Sequence, residues 1–455
     1  MSATRPLYAR PSAAKYWPAT ITSANPPAAN APASWKSTTS AIATMAAPTI
    51  PITSLPCVQP AIGCGTSGGT KQPGRRSHPD PTPSFSRKFA RLELSSPATG
   101  REDMGYFLLT IWLAAAAAGD VVPDHAVILL YHHVAEDTPV STTTSPALFH
   151  EQMDWLAGND YQVLPLPAVV DSLRRGHSLP DRTVALTFDD GYISVYTEAF
   201  PHLRVRGWPF TVFVCPEAID QGRGPVLNWD QLREMAAAGA TVANHGLRHD
   251  HLQRRRSGED TASWRARMRT ELLDAQARIE KEIGSASGVF AYPYGEFDPD
   301  LRALVIEMGW AGFGQQSGPA GAHADLAVLP RFPMTGTYGA MNVFPEKVRS
   351  LPLPVLEALP VDPRIAAGDT AARRPVLDLR LTGTADDWPT ITIYVSGQDA
   401  TTFTWSEPDV ARLRIQPAAT LPRGRSRANI TAPSAWPGRW YWFSHTWIVG
   451  EEHRY

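Results

Sequence analysis

The chain has little cysteine, no excess of positive charge and no apolar run long enough to cross a bilayer. Of its three cysteines in 455 residues, Cys57 and Cys64 lie near the start. Only Cys215 remains beyond them, so the bulk of the chain does not rest on a disulfide framework. Cys215 ends the strand-like stretch 210–214 and reads as a small buried residue. Lys and Arg number 42 against 44 Asp and Glu, a net charge of −2. No basic face of the kind that nucleic acid requires follows from that balance. The apolar run Tyr106–Ala118 falls short of the ~20 residues of a spanning helix.

Composition divides what is present. Residues 1–103 are rich in Pro, Ser, Thr and Ala, carry 11 Lys/Arg against 4 Asp/Glu, and show no hydrophobic period. Such a segment buries too little apolar surface to offset ~1–2 kcal/mol of ordering entropy per residue. It reads as a disordered extension or an upstream artefact, and it leaves about −9 of net charge on the rest. Residues 104–119 read as a signal peptide: a short apolar core, then Ala116-x-Ala118 as the small-residue cleavage pattern. An organelle transit peptide is the other reading of an acid-poor leader, and the embedded signal argues against it. No Cys follows the apolar core, so nothing supports a lipid anchor. An exported protein, periplasmic or extracellular, is expected.

From residue 120 to about 350, apolar segments of strand length alternate with helical patterns. Strands are expected at 126–131, 161–164, 184–188, 210–214, 240–243, 289–292, 311–314 and 328–331. Helices are expected at 146–157, 166–175, 229–238, 262–282 and 299–308. Such alternation argues for an α/β fold, a parallel sheet closed or nearly closed into a (β/α) barrel. Residues 373–455 are β-prone and crowded with tryptophan, which suggests a small C-terminal β-sandwich domain with most of the rings in its core. Asn429-Ile430-Thr431 fits a glycosylation triplet, a pattern common by chance.

Three segments carry chemistry. Leu186-Thr187-Phe188-Asp189-Asp190-Gly191 sets two carboxylates at a strand end, where neighbouring side chains diverge. One can ligand a cation while the other handles a proton. In Asn244-His245-Gly246-Leu247-Arg248-His249, two histidines four apart lie on one face of a helical turn, a spacing that suits one metal ion. Ala291-Tyr292-Pro293-Tyr294-Gly295 ends another apolar stretch in a turn that can wall a pocket and aim a backbone N–H into it. Taken singly, each also has a bland reading as a solvated turn, a polar loop or a loop with a buried tyrosine.

In this order and spacing the three segments resemble the polysaccharide deacetylase family, also called the NodB-homology family or carbohydrate esterase family four. The resemblance spans about 125–350, half the chain. Its TFDDG motif is Thr187–Gly191, its H-[ST]-x-x-H-x-x-L motif is matched by His245, His249 and Leu252, and its R-x-P-[FY] motif reads Ala291-Tyr292-Pro293-Tyr294. The family's last motif, a strand ending in a catalytic His, stands upstream as Ala126–Val134. That order resembles the permuted branch that includes bacterial poly-N-acetylglucosamine deacetylases.

The resemblance implies a metal-dependent hydrolase that removes N-acetyl groups from a polysaccharide. Asp190, His245 and His249 would hold one divalent cation, most simply Zn²⁺, with Asp189 as general base. His132 would act as the acid to the leaving amine, with His133 as the alternative. Pro293 and Tyr294 would wall the pocket, and a backbone N–H near Tyr294 would help hold the oxyanion. Two departures bear on this. Gly246 removes a hydroxyl that braces the metal loop, and Ala291 stands where an Arg pairs with the catalytic Asp. Arg331 ends another apolar stretch and can supply that charge or form a purely structural ion pair. His251 competes with His249 as ligand. Two rival readings are a non-catalytic carbohydrate-binding envelope protein on a decayed barrel and a glycosidase. The latter needs carboxyls facing one another across ~5–9.5 Å, which adjacent strand-end residues seldom provide.

Overall fold

The computed structural model of the protein describes residues 122–398 and 401–450. The leader, the Tyr106–Ala118 run and its cleavage pattern lie outside the described residues. No helix among the described residues is long and apolar enough to cross a membrane.

The apolar segments become strands β1 (His125–Tyr131), β2 (Thr183–Phe188), β3 (Thr211–Val214), β4 (Thr241–Asn244), β5 (Val289–Ala291) and β6 (Ala311–Phe313). They pair in that order, every neighbour parallel. They read as continuous apolar runs because both faces of such strands are covered: all seven residues of β1 and all six of β2 are buried. Alternate residues serve different clusters. Val127, Leu129 and Tyr131 pack with Phe149, Met153 and Phe188, whereas Ala126 and Ile128 pack with Phe213 and Phe313.

The edges of this curled sheet are joined by the segment 329–333. Leu329 bridges to Phe313 of β6, and β7 (Phe332–Pro333) pairs in parallel with Leu129 and Leu130 of β1. The result is a distorted (β/α) barrel with a thin seam. The expected strand at 328–331 is reduced to the Leu329 bridge and followed by β7, and the β6–β7 connection carries an antiparallel pairing of Ala320 and Gly321 with β1 instead of a helix.

Helices follow their start signals. Ser145 caps Pro146–Gly158, an Asn228/Gln231 capping box opens Trp229–Ala237, and Asp260 and Asp298 cap Thr261–Ile283 and Pro299–Glu307. Gly176 in left-handed conformation closes Leu166–Arg175. The helical stretch 195–206 was not expected, and it runs as a π turn into an α-helix.

Beyond residue 350 the regular structure is mainly strand. Val355–Leu359, Leu377–Leu381, Arg412–Ile415 and Phe403–Glu407 form one antiparallel sheet. The long antiparallel pair β8 (Gly424–Pro433) and β9 (Trp440–Gly450) leads the other. Leu379 and Leu413 of the first sheet share one apolar cluster with Ile430 and Trp447 of the second. Tryptophans divide as the core reading suggests only in part: Trp388 and Trp447 are buried, but Trp440 is 41% exposed. Trp442 packs edge-on against Phe332 of the barrel seam, with ring centroids 5.2 Å apart. Asn429 of the triplet lies in β8 and accepts a hydrogen bond from Ser444 Oγ at 2.6 Å.

Candidate active site

The end of β2 separates its two carboxylates by backbone conformation. Asp189 continues the strand, its N–H donating to Tyr131 O at 2.9 Å. Asp190 turns into the left-handed region at φ 70°, and Gly191 follows at φ 64°. A Cβ on Gly191 would stand 3.0 Å from Val214 Cγ1, so the turn needs glycine for space as well as for φ. His249 (φ 62°) and Tyr294 (φ 60°) share the left-handed conformation with Asp190. Strained non-glycine residues thus converge on one place, as they do at functional sites.

Asp189 is fully buried and gripped by Arg331, also fully buried. Arg331 Nη1 donates to Oδ1 at 2.7 Å and Nη2 to Oδ2 at 2.8 Å, while Nε donates to Gly314 O at 2.9 Å. Burial pushes the Asp189 pKa up, but Arg331, with His245 and His132, outweighs it and holds the carboxyl below its ordinary value. The charge missing at Ala291 therefore comes from the seam of the barrel.

His245 follows β4 and is 1% exposed. Its Nδ1 faces Ala291 O at 2.8 Å. A ring nitrogen facing a carbonyl carries the proton, which leaves Nε2 with its lone pair. That Nε2 lies 3.2 Å from Asp190 Oδ1, and His249 Nε2 lies 3.1 Å from the same oxygen. Yet Asp190 Oδ1 is buried without a hydrogen bond. The three groups converge on a shared point rather than on one another, and their ligand atoms lie within 4.8 Å of each other. A carboxylate oxygen and two imidazole lone pairs suit a divalent cation and leave coordination positions open.

The two histidines do not share a helical turn. Residues 245–251 form an irregular loop, with Gly246 at φ 77° and His249 left-handed. Nor is that loop unbraced for want of a hydroxyl at 246. Glu271 Oε1 accepts from Leu247 N and Arg248 N, each at 3.0 Å, and Asn244 Oδ1 accepts from Gly246 N at 2.8 Å. Glu271 escaped the sequence reading, although a signal exists: it is an acid set in the buried stripe Trp264, Met268, Leu272, Ala275 and Ile279 of its helix.

Tyr294 leans edge-on against His249, 4.5 Å between centroids, and stacks on His251 at 4.1 Å and 14°. His251 Nδ1 is 2.6 Å from Glu296 Oε2, so His251 props the tyrosine and does not compete for the cation position. Pro293 is buried beside Gly246, 3.7 Å from where a Cβ there would stand.

At the end of β1 the histidines part as strand neighbours should. His133 stacks on Tyr192 at 3.5 Å. His132 Nδ1 is buried without a partner. Burial lowers the His132 pKa, Asp189 and Asp190 push it back up, and Arg331 and His245 oppose them. His132, not His133, therefore shares the electrostatic environment of both carboxylates.

Residues 176–313 match the family named polysaccharide deacetylase, and the matched span contains Asp189, Asp190, His245, His249 and Tyr294 but neither His132 nor Arg331. The chain is 28% identical over 247 residues to an Escherichia coli poly-beta-1,6-N-acetyl-D-glucosamine N-deacetylase, covering 45% of this chain and 36% of that one. It is 22% identical over 171 residues to a Staphylococcus aureus protein of the same name, covering 37% of this chain and 59% of that one. The chain thus spans well under two thirds of either relative. Among solved structures, IcaB from Ammonifex degensii is 26% identical, with a TM-score of 0.41 over 46% of this chain and 91% of that one. With the matched family motifs present in order, the chain carries a domain of the polysaccharide deacetylase family of hydrolases.

Proposed function

We propose that this domain removes N-acetyl groups from an N-acetylglucosamine-containing polysaccharide, with one divalent cation, Zn²⁺ by preference, held by Asp190, His245 and His249. The observation that carries the reading is the orphaned Asp190 Oδ1 between two imidazole nitrogens, one residue from a carboxylate locked to Arg331. The N-acetylglucosamine polymer is the substrate that the names of the relatives carry.

When bound, the cation lowers the pKa of water and polarises the acetyl carbonyl. Asp189, kept ionised by Arg331, has lone pairs to spare on both oxygens and takes the proton of the attacking water. A backbone N–H near Tyr294 faces the oxygen that becomes negative, and Pro293 and the Tyr294 ring exclude solvent. His132 gives its proton to the sugar nitrogen as the carbon–nitrogen bond breaks, so acetate and a free glucosamine unit leave. All these groups stand just past the C-terminal ends of parallel strands, where barrels of this kind carry their chemistry.

Domain limits of 120–350 for the barrel and 373–455 for a β-sandwich, export through residues 104–119, and a place outside the cytoplasm belong to the same reading. Acetate release from β-1,6-linked and chitin-type oligomers, with and without chelator, tests it. Chelator-sensitive release supports the proposal. Tight glycan binding with no release on any acetylated glycan would leave a binding protein instead.

A further inference from the structure

Strand β8 alternates. Ser426, Ala428, Ile430 and Ala432 are buried, while Arg425 and Arg427 face the other way. That other face meets the mouth of the barrel. Arg425 Nη1 donates to the carbonyl of Tyr294 and, at 2.8 Å, to Gln315 Oε1, residues just past the ends of β5 and β6. Arg427 is the next side chain along the same face of β8. Lys347 is buried and reaches with Nζ the carbonyl of Tyr338, in the turn beyond β7. Arg425 and Arg427 therefore stand in a row on one strand face, beginning at the tyrosine that touches the metal-site histidine.

Among the described residues no carboxylate is hydrogen-bonded to Arg425 or Arg427. Glu296, which favours the charged form of Arg425, is already engaged by His251 and by Gln253, each at 2.6 Å. Both hydrogen bonds of Arg425 leave from Nη1. Its Nη2 and Nε, and the whole guanidinium of Arg427, have no protein partner among the described residues. Burial, with Arg425 beside it, pushes Arg427 down to about 10, and burial with Arg427 pushes Lys347 down to about 7. A carboxylate of this chain in the same place would hold both up. The guanidinium of Arg427 and the unbonded edge of Arg425, two residues apart on one strand face, match a planar or tetrahedral oxyanion.

We propose that Arg425 and Arg427 form a subsite for an anionic group on the glycan, a carboxylate or phosphate carried by a sugar unit beside the one whose acetyl group is removed. The substrate class is then an acidic N-acetylated glycan, and the tail takes part in selecting it. This rests on the deacetylase reading of the barrel and refines its substrate.

The test is calorimetric binding to the full chain of three probes: an oligosaccharide alternating N-acetylglucosamine with uronic acid, a neutral N-acetylglucosamine oligomer of equal length, and inorganic phosphate alone. At low salt the acidic oligomer should bind about tenfold tighter than the neutral one, as expected for one added charge-assisted contact. The ratio should fall toward one as salt rises. Arg427→Gln should bring it near one, and Arg427→Lys should keep most of it. Where Arg427→Gln fails to fold, the salt series and Arg425→Gln read the same ratio. Equal binding of the two oligomers overturns the proposal, as does a ratio insensitive to these variants. Phosphate alone binding as tightly as the acidic oligomer would make this a free-anion site and overturn it too. Acetate release from the neutral oligomer is followed in parallel. Release without charge preference sinks the subsite alone, and charge-selective binding without release sinks the deacetylase reading alone.

Discussion

Asp189 and Asp190 are one peptide bond apart, yet substitution should affect them differently. Asp190→Ala, His245→Ala and His249→Ala each remove one of three ligands. Elemental analysis of each purified variant should show metal well below one equivalent, with activity lost in parallel. Asp189→Asn should keep its metal while turnover falls by ~10²–10⁴, the range of a lost acid–base contact. The Arg331 pair adds a consequence that the motif alone does not suggest. An amide there leaves a buried guanidinium half-paired, so the variant should also lose a few kcal/mol, about what breaking a buried pair costs, and melt earlier. Full metal with near-full turnover would move the base elsewhere. His132 is tested by leaving group. An amine departs poorly without a proton and a phenolate departs unaided, so His132→Ala should cripple amide hydrolysis while sparing an activated aryl acetate. An equal loss on both, or an amide-selective loss in His133→Ala, would reject His132. The ligands were legible because they cluster in short segments at strand ends. Glu271, Glu296 and Arg425 were not, since each reaches the site from another element across at least 23 residues of sequence.

Strands and helices were legible wherever local chemistry decides them. Buried runs became parallel strands, and capped starts at Ser145, Asn228, Asp260 and Asp298 fixed helix boundaries to within a residue or so. The metal loop was not legible, because its shape is imposed from outside. A spacing of four predicts a helical turn for His245 and His249, but Gly246 at φ 77° breaks that path and Glu271 ties the next two amides to its helix. Glu271→Ala should therefore leave two amide donors unsatisfied, with a stability loss of about 1–3 kcal/mol. Metal affinity should weaken about 10–100-fold, as for other residues that orient ligands. A metal titration showing unchanged affinity would place the brace elsewhere. Restoring the family hydroxyl with Gly246→Ser should not help. A Cβ finds no contact closer than 3.7 Å, but φ 77° disfavours any side chain, so thermal melting should show a loss of about 1–2 kcal/mol.

At the scale of the molecule, composition announced a β-rich tail but not its attachment, which depends on pairs far apart in sequence. Arg364 Nη1 meets the buried Asp298 at 2.7 Å, Arg439 Nη2 meets Asp181 at 2.7 Å, and Trp442 covers Phe332 at the thin seam. A chain ending at residue 350 should therefore melt well below the full protein. An unchanged melting temperature would show the barrel to be independent of its tail. Acid should find a different weakness. His445, on β9, has a buried Nε2 without a partner, and burial lowers its pKa from 6.5 to about 4. His202 is depressed to a similar value, with Nε2 likewise buried and the stacked His150 adding to the effect of burial. Between pH 6.5 and 4 the unfolded chain binds protons at these sites that the folded chain does not. Stability therefore falls as pH falls through that window, by at most about 3 kcal/mol for His445. The carboxylates Asp189 and Asp190, held low in the fold, begin to contribute only as the pH drops further. Denaturant unfolding at pH 7.5 and 5.0, with chelator in both so that ligand protonation releases no metal, should show His445→Gln losing less stability on acidification than the parent chain. Equal losses in the two proteins would mean that His445 takes up its proton in the folded state near its ordinary pKa.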